Sequence, residues 1–164
     1  MRVLRATLPF LALLSPACGN GDGPFRLPPA DSAAALYEDG AQAEARGNLL
    51  EVSVPFGEEY RRGGSLWARS GPYFYLFSEP TEKLMAAYPQ LAAVRVVMHT
   101  PGGEEVARAT LARAAITEFD WRRARNLAAV AQLRGTEEPG RLAELVRWGE
   151  AHTEYRYNPG FVPR

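Results

Sequence analysis

The chain has 164 residues, 46% hydrophobic and 23% charged, with a formal net charge of zero. That balance excludes an intrinsically disordered chain and the strongly basic domain of a nucleic-acid-binding protein. Two histidines and one cysteine leave too few ligands for a His/Cys metal centre and rule out an intrachain disulfide.

At the N-terminus, Arg2 and Arg5 precede an apolar run at residues 8–14 (LPFLALL), and no acidic residue occurs before Asp22. Ser15, Pro16 and Ala17 follow as the residues of a cleavage site, and the run falls well short of the roughly 20 residues that span a bilayer. Cys18 comes next. This order resembles the signal peptide of bacterial lipoproteins, in which a lipobox cysteine is lipidated and becomes the new N-terminus. Ala17 and Cys18 match the lipobox; Ser15 stands where Leu is usual, with Leu14 one place further back. Plain secretion, with cleavage after Ala17 by the ordinary signal peptidase, is the alternative reading.

The resemblance implies a signal peptide at residues 1–17 and lipid attachment at Cys18, through a diacylglycerol thioether and an N-acyl chain such as palmitate. The address is then the extracytoplasmic side of the cell envelope, with membrane contact through the N-terminal lipid. Gly19, rather than Asp, after the cysteine favours the outer membrane where the cell has one. Residues 18–30, rich in Gly and Pro, suit a flexible tether. Loss of Arg2 and Arg5 takes the 19 basic residues to 17, against 19 acidic.

Residues 31–164 read as one domain. Asp31 or Ser32 predicts a helix reaching about Arg46, and residues 49–54 alternate like a strand. The segment 35–48 faintly resembles a tetratricopeptide helix, but no copy recurs. Residues 65–69 and 73–77, separated by Ser70-Gly71-Pro72, are expected as two strands, the second apolar on both faces. A short helix follows around Leu84 and Met85. Residues 93–100 and 104–113 predict a hairpin through Pro101-Gly102-Gly103, although the second arm is also good helix material. Asp120 is expected to cap a helix ending at Gly135, and Pro139 to open a last helix ending at Gly149. The aromatic tail beyond is expected to pack back. The fold class is α+β, a small mainly antiparallel sheet with helices packed on one face.

No nucleophile, phosphate or metalloprotease motif occurs. Glu150, His152 and Glu154 form one carboxylate–histidine cluster, which would need partners such as His99 or Glu104 to act as an acid–base or metal set. The pairs Glu58-Glu59, Glu104-Glu105 and Glu137-Glu138 suit turns and helix starts better than a glycosidase pair. Arg122, Arg123 and Arg125 are read as a solvated helix face, or as a contact for anionic lipid or cell-wall polymer. No catalytic residue, metal or cofactor is assigned. The expected function is a non-catalytic binding or accessory domain with an envelope protein or glycan partner and no nucleic acid. A tethered hydrolase of envelope polymers and a structural subunit of an envelope complex are the alternatives.

Overall fold

A computed structural model describes residues 26–37, 40–57 and 64–162. The expected signal peptide, Cys18 and the tether as far as residue 25 lie outside the described residues. Five strands form one sheet in chain order: β1 (Gln42–Arg46), β2 (Leu49–Pro55), β3 (Ala93–His99), β4 (Glu105–Ala112) and β5 (Glu154–Tyr157). Neighbours are antiparallel except β2 and β3, which are parallel. The helices are α1 (Ala30–Ala34), α2 (Gly64–Leu76), α3 (Glu79–Ala87), α4 (Glu118–Arg134) and α5 (Pro139–His152). The α+β class and the mainly antiparallel sheet are as the pattern predicts.

Alternation along the strands sets the layers. Leu50, Val52 and Val54 of β2 stand beside Val94, Val96 and Met98 of β3, which face Leu111, Ala109 and Ala107 of β4. All nine are at most 1% exposed. Helix α2 crosses this apolar face over β3 and β4, and α5 packs on α2. Burying one such aliphatic side chain stabilises the fold by about 1.5–3 kcal/mol, so the pairing of β4 with β3 outweighs the helix propensity of its alanines and arginines.

The two strands expected at residues 65–69 and 73–77 are instead the single helix α2. Every residue from Ser70 to Phe77 is buried, because the helix lies between the sheet and α5. A run that is apolar all round carries no period that separates a central strand from a buried helix. Gly71-Pro72 is not a turn. A Cβ at Gly71 would lie 3.3 Å from Met98 Cε, so this glycine brings the helix close to β3. Pro72 sits inside the helix, where it lacks the N–H that would meet the Ala68 carbonyl.

The helix expected from residue 31 to Arg46 is also corrected. Among the described residues of that stretch only Ala30–Ala34 is helical, and Gln42–Arg46 is strand β1, paired with β2 through the Gly47-Asn48 turn. Gly47 has φ +63°, the left-handed value that a two-residue hairpin needs at its first turn position. At the other helices the differences are small. Thr117, not Asp120, caps α4; Asp120 closes a reciprocal capping box on Thr117. Helix α5 runs past Gly149 to His152, with the Tyr73 ring packed against that glycine.

The tail does pack back. Tyr155 and Tyr157 of β5 stand opposite Ala109 and Ala107, on the helix side of the sheet, and Phe161 meets Phe56 edge-on at 6.3 Å. The last residues of the expected tether also join the domain: Leu27 packs on the core, Pro28 is buried, and the Arg26 N–H donates to Gln90 Oε1.

Candidate binding face on the open side of the sheet

The sheet face turned away from the helices is polar and is built in cross-strand rows. One row runs Glu44, Glu51, Arg95, Thr110, Glu154 from β1 to β5; the next runs Gln42, Ser53, Val97, Arg108, Arg156. Arg95 ties the first row together: Nε donates to Thr110 Oγ1 at 3.0 Å and Nη1 to Glu51 Oε2 at 3.3 Å.

Like charges stand directly opposite each other twice, and each time a third residue of opposite charge bridges them. Glu44 faces Glu51, and Arg46 lies 2.8 Å from the first and 3.4 Å from the second. Arg108 faces Arg156, and Glu105 Oε1 lies 3.6 Å from the Nε of both. The second bridge depends on an irregularity. In a regular strand, residues three apart point to opposite faces. The register shifts between Met98 and His99, so that His99 pairs with Glu105, while Val106 and Ala107 are both fully buried. This β-bulge turns Glu105 onto the open face beside Arg108, the re-aiming for which bulges are known.

At one end of this face, where β2 and β3 finish side by side, lies a cavity of about 440 Å³ lined by Gly40, Gln42, Ser53, Pro55, His99 and Thr100 together with Pro101 and Gly103. Parallel strands end in the same direction, and the chain then leaves by different routes, here through the crossover to α2 and through the β3–β4 hairpin. Gly40 and Gly103, at φ +89° and +83°, turn the chain at its edge. His99 Nδ1 is buried without a hydrogen-bond partner among the described residues. The Thr100 side chain closes the hairpin loop by accepting from the Glu104 N–H at 3.2 Å.

Glu150, His152 and Glu154 point in three directions. Residues two apart on a helix lie about 200° apart around it. Glu150 faces α2 and β5, where Arg69 Nη2 donates to it at 2.5 Å and the Tyr157 hydroxyl at 3.1 Å; Tyr157 also meets the Tyr73 hydroxyl at 2.8 Å. Hydrogen bonding to Glu150 holds the Arg69 guanidinium above its ordinary pKa, and burial pushes Tyr73 up to about 12. Burial likewise raises Tyr157. His152 faces α4: its ring stacks on Trp148 at 4.0 Å and Nδ1 meets the Trp148 carbonyl at 2.8 Å. Glu154 lies on the open sheet face opposite Thr110. The structure does not bring the three into one cleft, and His99 and Glu104 stand at the β3–β4 hairpin rather than beside them.

Of the other expected candidates, Glu58 and Glu59 lie outside the described residues. Glu104 accepts from Asn158, Glu105 bridges the two arginines, and Glu138 pairs with Arg134 and Arg141. On α4, Arg123 stacks over Trp148 at 4.4 Å and Arg125 pairs with Glu82 at 2.6 Å. Arg122 shares a polar groove with Glu118 and Asn126. Among the described residues, no group of three or more His, Cys, Asp or Glu side chains is placed to hold a metal ion.

Sequence reasoning passed over Gln42, Ser53, Glu51 and Arg95. Alternation at residues 49–54 already marks Glu51 and Ser53 as facing one way, but nothing local brings β1, β2 and β3 together. Neither protein-family models, nor curated proteins, nor solved structures give a match to this chain.

Proposed function

We propose that this protein is an envelope lipoprotein anchored through Cys18, whose domain is a non-catalytic binding module that meets its envelope partner with the open face of the sheet. The observation that carries the binding reading is that face itself: rows of half-exposed polar and charged side chains fixed by cross-strand bridges, with a cavity at one end. Fixed polar groups on a rigid sheet lose little entropy on binding and select partners by charge complementarity. The anchor rests on the leader. The chain enters the described domain near Gln90, just before the start of β3, whereas the cavity lies at the end of the same strand. Seven residues of strand separate the two by about 20 Å.

Cell fractionation of Cys18→Ala tests the anchor: release from the membrane fraction is expected, and unchanged fractionation refutes it. Co-purification from detergent-solubilised membranes tests the module. A stoichiometric partner, lost on charge reversal at Arg108 and Arg156, is expected; repeated recovery of the protein alone refutes it.

A further inference from the structure

We infer that the cavity at the carboxyl ends of β2 and β3 binds an uncharged, hydroxyl-rich ligand, the end of a glycan chain, with Gln42, Ser53 and His99 as its polar contacts. This rests on the binding-module reading and names the ligand class for one part of that face.

The chemistry of the lining selects the class. A carboxamide, a hydroxyl and an imidazole each both donate and accept hydrogen bonds. The polar side chains of the described lining are matched best by a ligand whose own groups do both, which describes sugar hydroxyls. An anion accepts only and needs donors or a cation; a cation donates only and needs carboxylates. Among the described residues, no Asp, Glu, Lys or Arg lines the cavity. The charges of the face lie further along the rows, and most are committed: Glu51 to Arg95, Glu44 to Arg46, and Glu105 to Arg108 and Arg156.

Shape points the same way. The volume of about 440 Å³ falls in the range of small-ligand sites. Pro55 and Pro101 supply flat C–H surfaces between the polar groups, suited to the apolar face of a sugar ring. Of the His99 ring nitrogens Nδ1 is buried, which leaves Nε2 to meet the ligand as a donor or an acceptor according to the tautomer. A protein segment seated in the cavity itself would call for apolar anchors there. The large exposed apolar side chains among the described residues, Leu36, Phe119, Leu133 and Tyr155, are not on this face. Leu36, Phe119 and Leu133 belong to the helical layer, and Tyr155 stands on the helix side of β5.

The chain contains two histidines, so ring resonances in nuclear magnetic resonance of the full chain in detergent micelles report the site directly. His152, stacked on Trp148, serves as the internal control. Titration with an uncharged chitotriose or maltotriose is expected to shift His99 saturably in the millimolar range and leave His152 in place. Gln42→Ala and Ser53→Ala, checked for unchanged thermal unfolding, are expected to weaken binding by about tenfold each, the scale of one lost hydrogen bond.

No shift of His99 with either sugar, an equal shift of both histidines, an equal response to citrate, or undiminished binding in both variants would overturn the assignment. Capture of a protein partner through Arg108 and Arg156 with no response of His99 to sugars would sink the glycan ligand while leaving the binding module intact.

Discussion

Arg108 and Arg156 stand opposite each other across β4 and β5, held by a single carboxylate oxygen of Glu105 that the β-bulge has turned onto their side of the sheet. Two guanidinium groups in a direct cross-strand pair repel. The bridge converts that repulsion into a charged triplet that keeps the short last strand in register. Glu105→Gln is therefore expected to lower stability by about 1 kcal/mol, since all three side chains are partly exposed and ion pairs there are weak. Urea denaturation at low and high salt checks this. The loss should shrink as salt rises; a loss indifferent to salt would mean that the carboxylate acts through packing and not charge.

At Gly149 the helices α2 and α5 approach closely. A Cβ there would fall 2.5 Å from the Tyr73 ring, and Tyr73 is fully buried, so the ring has no room to withdraw. Gly149→Ala should destabilise by about 1–3 kcal/mol, the usual cost of overpacking, despite the better helix propensity of alanine. Thermal unfolding reads it, and an unchanged or raised Tm would show that the helices slide apart freely.

Tyr73 also sets an alkaline limit. Burial raises its pKa from 10.0 to about 12, so the folded protein holds this proton more tightly than the unfolded chain does. The contribution is full below pH 10 and is lost as the pH climbs from 10 through about 12. A shift of this size corresponds to roughly 2–3 kcal/mol. Tyr37, raised to about 12 by burial beside Thr81, adds to the same window. Stability measured by denaturant between pH 8 and 12 (~2 units either side of an ordinary phenol) should fall steeply only in the upper half. Tyr73→Phe should flatten that fall, and an equally steep fall in the variant would assign the alkaline limit elsewhere.

Thr117 begins α4. Its hydroxyl accepts from the Asp120 N–H at 3.3 Å, and Asp120 Oδ2 accepts in return from the Thr117 N–H at 3.1 Å. The Thr117 hydroxyl also donates to Asp120 Oδ2 at 2.7 Å, and this bond first, then the one from the Thr117 N–H, holds the Asp120 carboxyl below its ordinary pKa. Thr117→Ala is expected to cost about 0.5–2 kcal/mol. Thr117→Ser should recover most of it, and failure of the serine to do so would point to the lost methyl group.

Four features of the fold were legible along the chain. The alternation at residues 49–54, the paired alternation around Pro101-Gly102-Gly103, and the apolar stripe of Trp121, Ala124, Leu127, Ala128 and Ala131 each carry their own period. Each became the expected strand, hairpin or helix. Pro139 opens the last helix as expected because its fixed φ suits the first turn.

Where the chain gave the wrong element, the local signal was ambiguous and a distant contact resolved it. The alanines and glutamate of Gln42–Arg46 favour a helix in isolation, yet β2 next in sequence offers a hairpin that buries Ala43 against the core. The Tyr73–Phe77 run has no polar side to betray its period, and burial on every side made it helix. The candidate face was the least legible of all. Glu51, Arg95 and Thr110 are separated by 44 and 15 residues in sequence, and Glu105 reaches its arginines only through a bulge that no local pattern marks.

By itself the sequence determined a single cysteine, a near-neutral charge and the α+β class, because these follow from composition and short-range periodicity. Which residues share the open face, which charges are neutralised, and that Glu150 and His152 turn away from each other were decided only by the tertiary structure. Pairing register and helix rotation place side chains from distant segments, and those quantities are fixed by core packing rather than by neighbours along the chain.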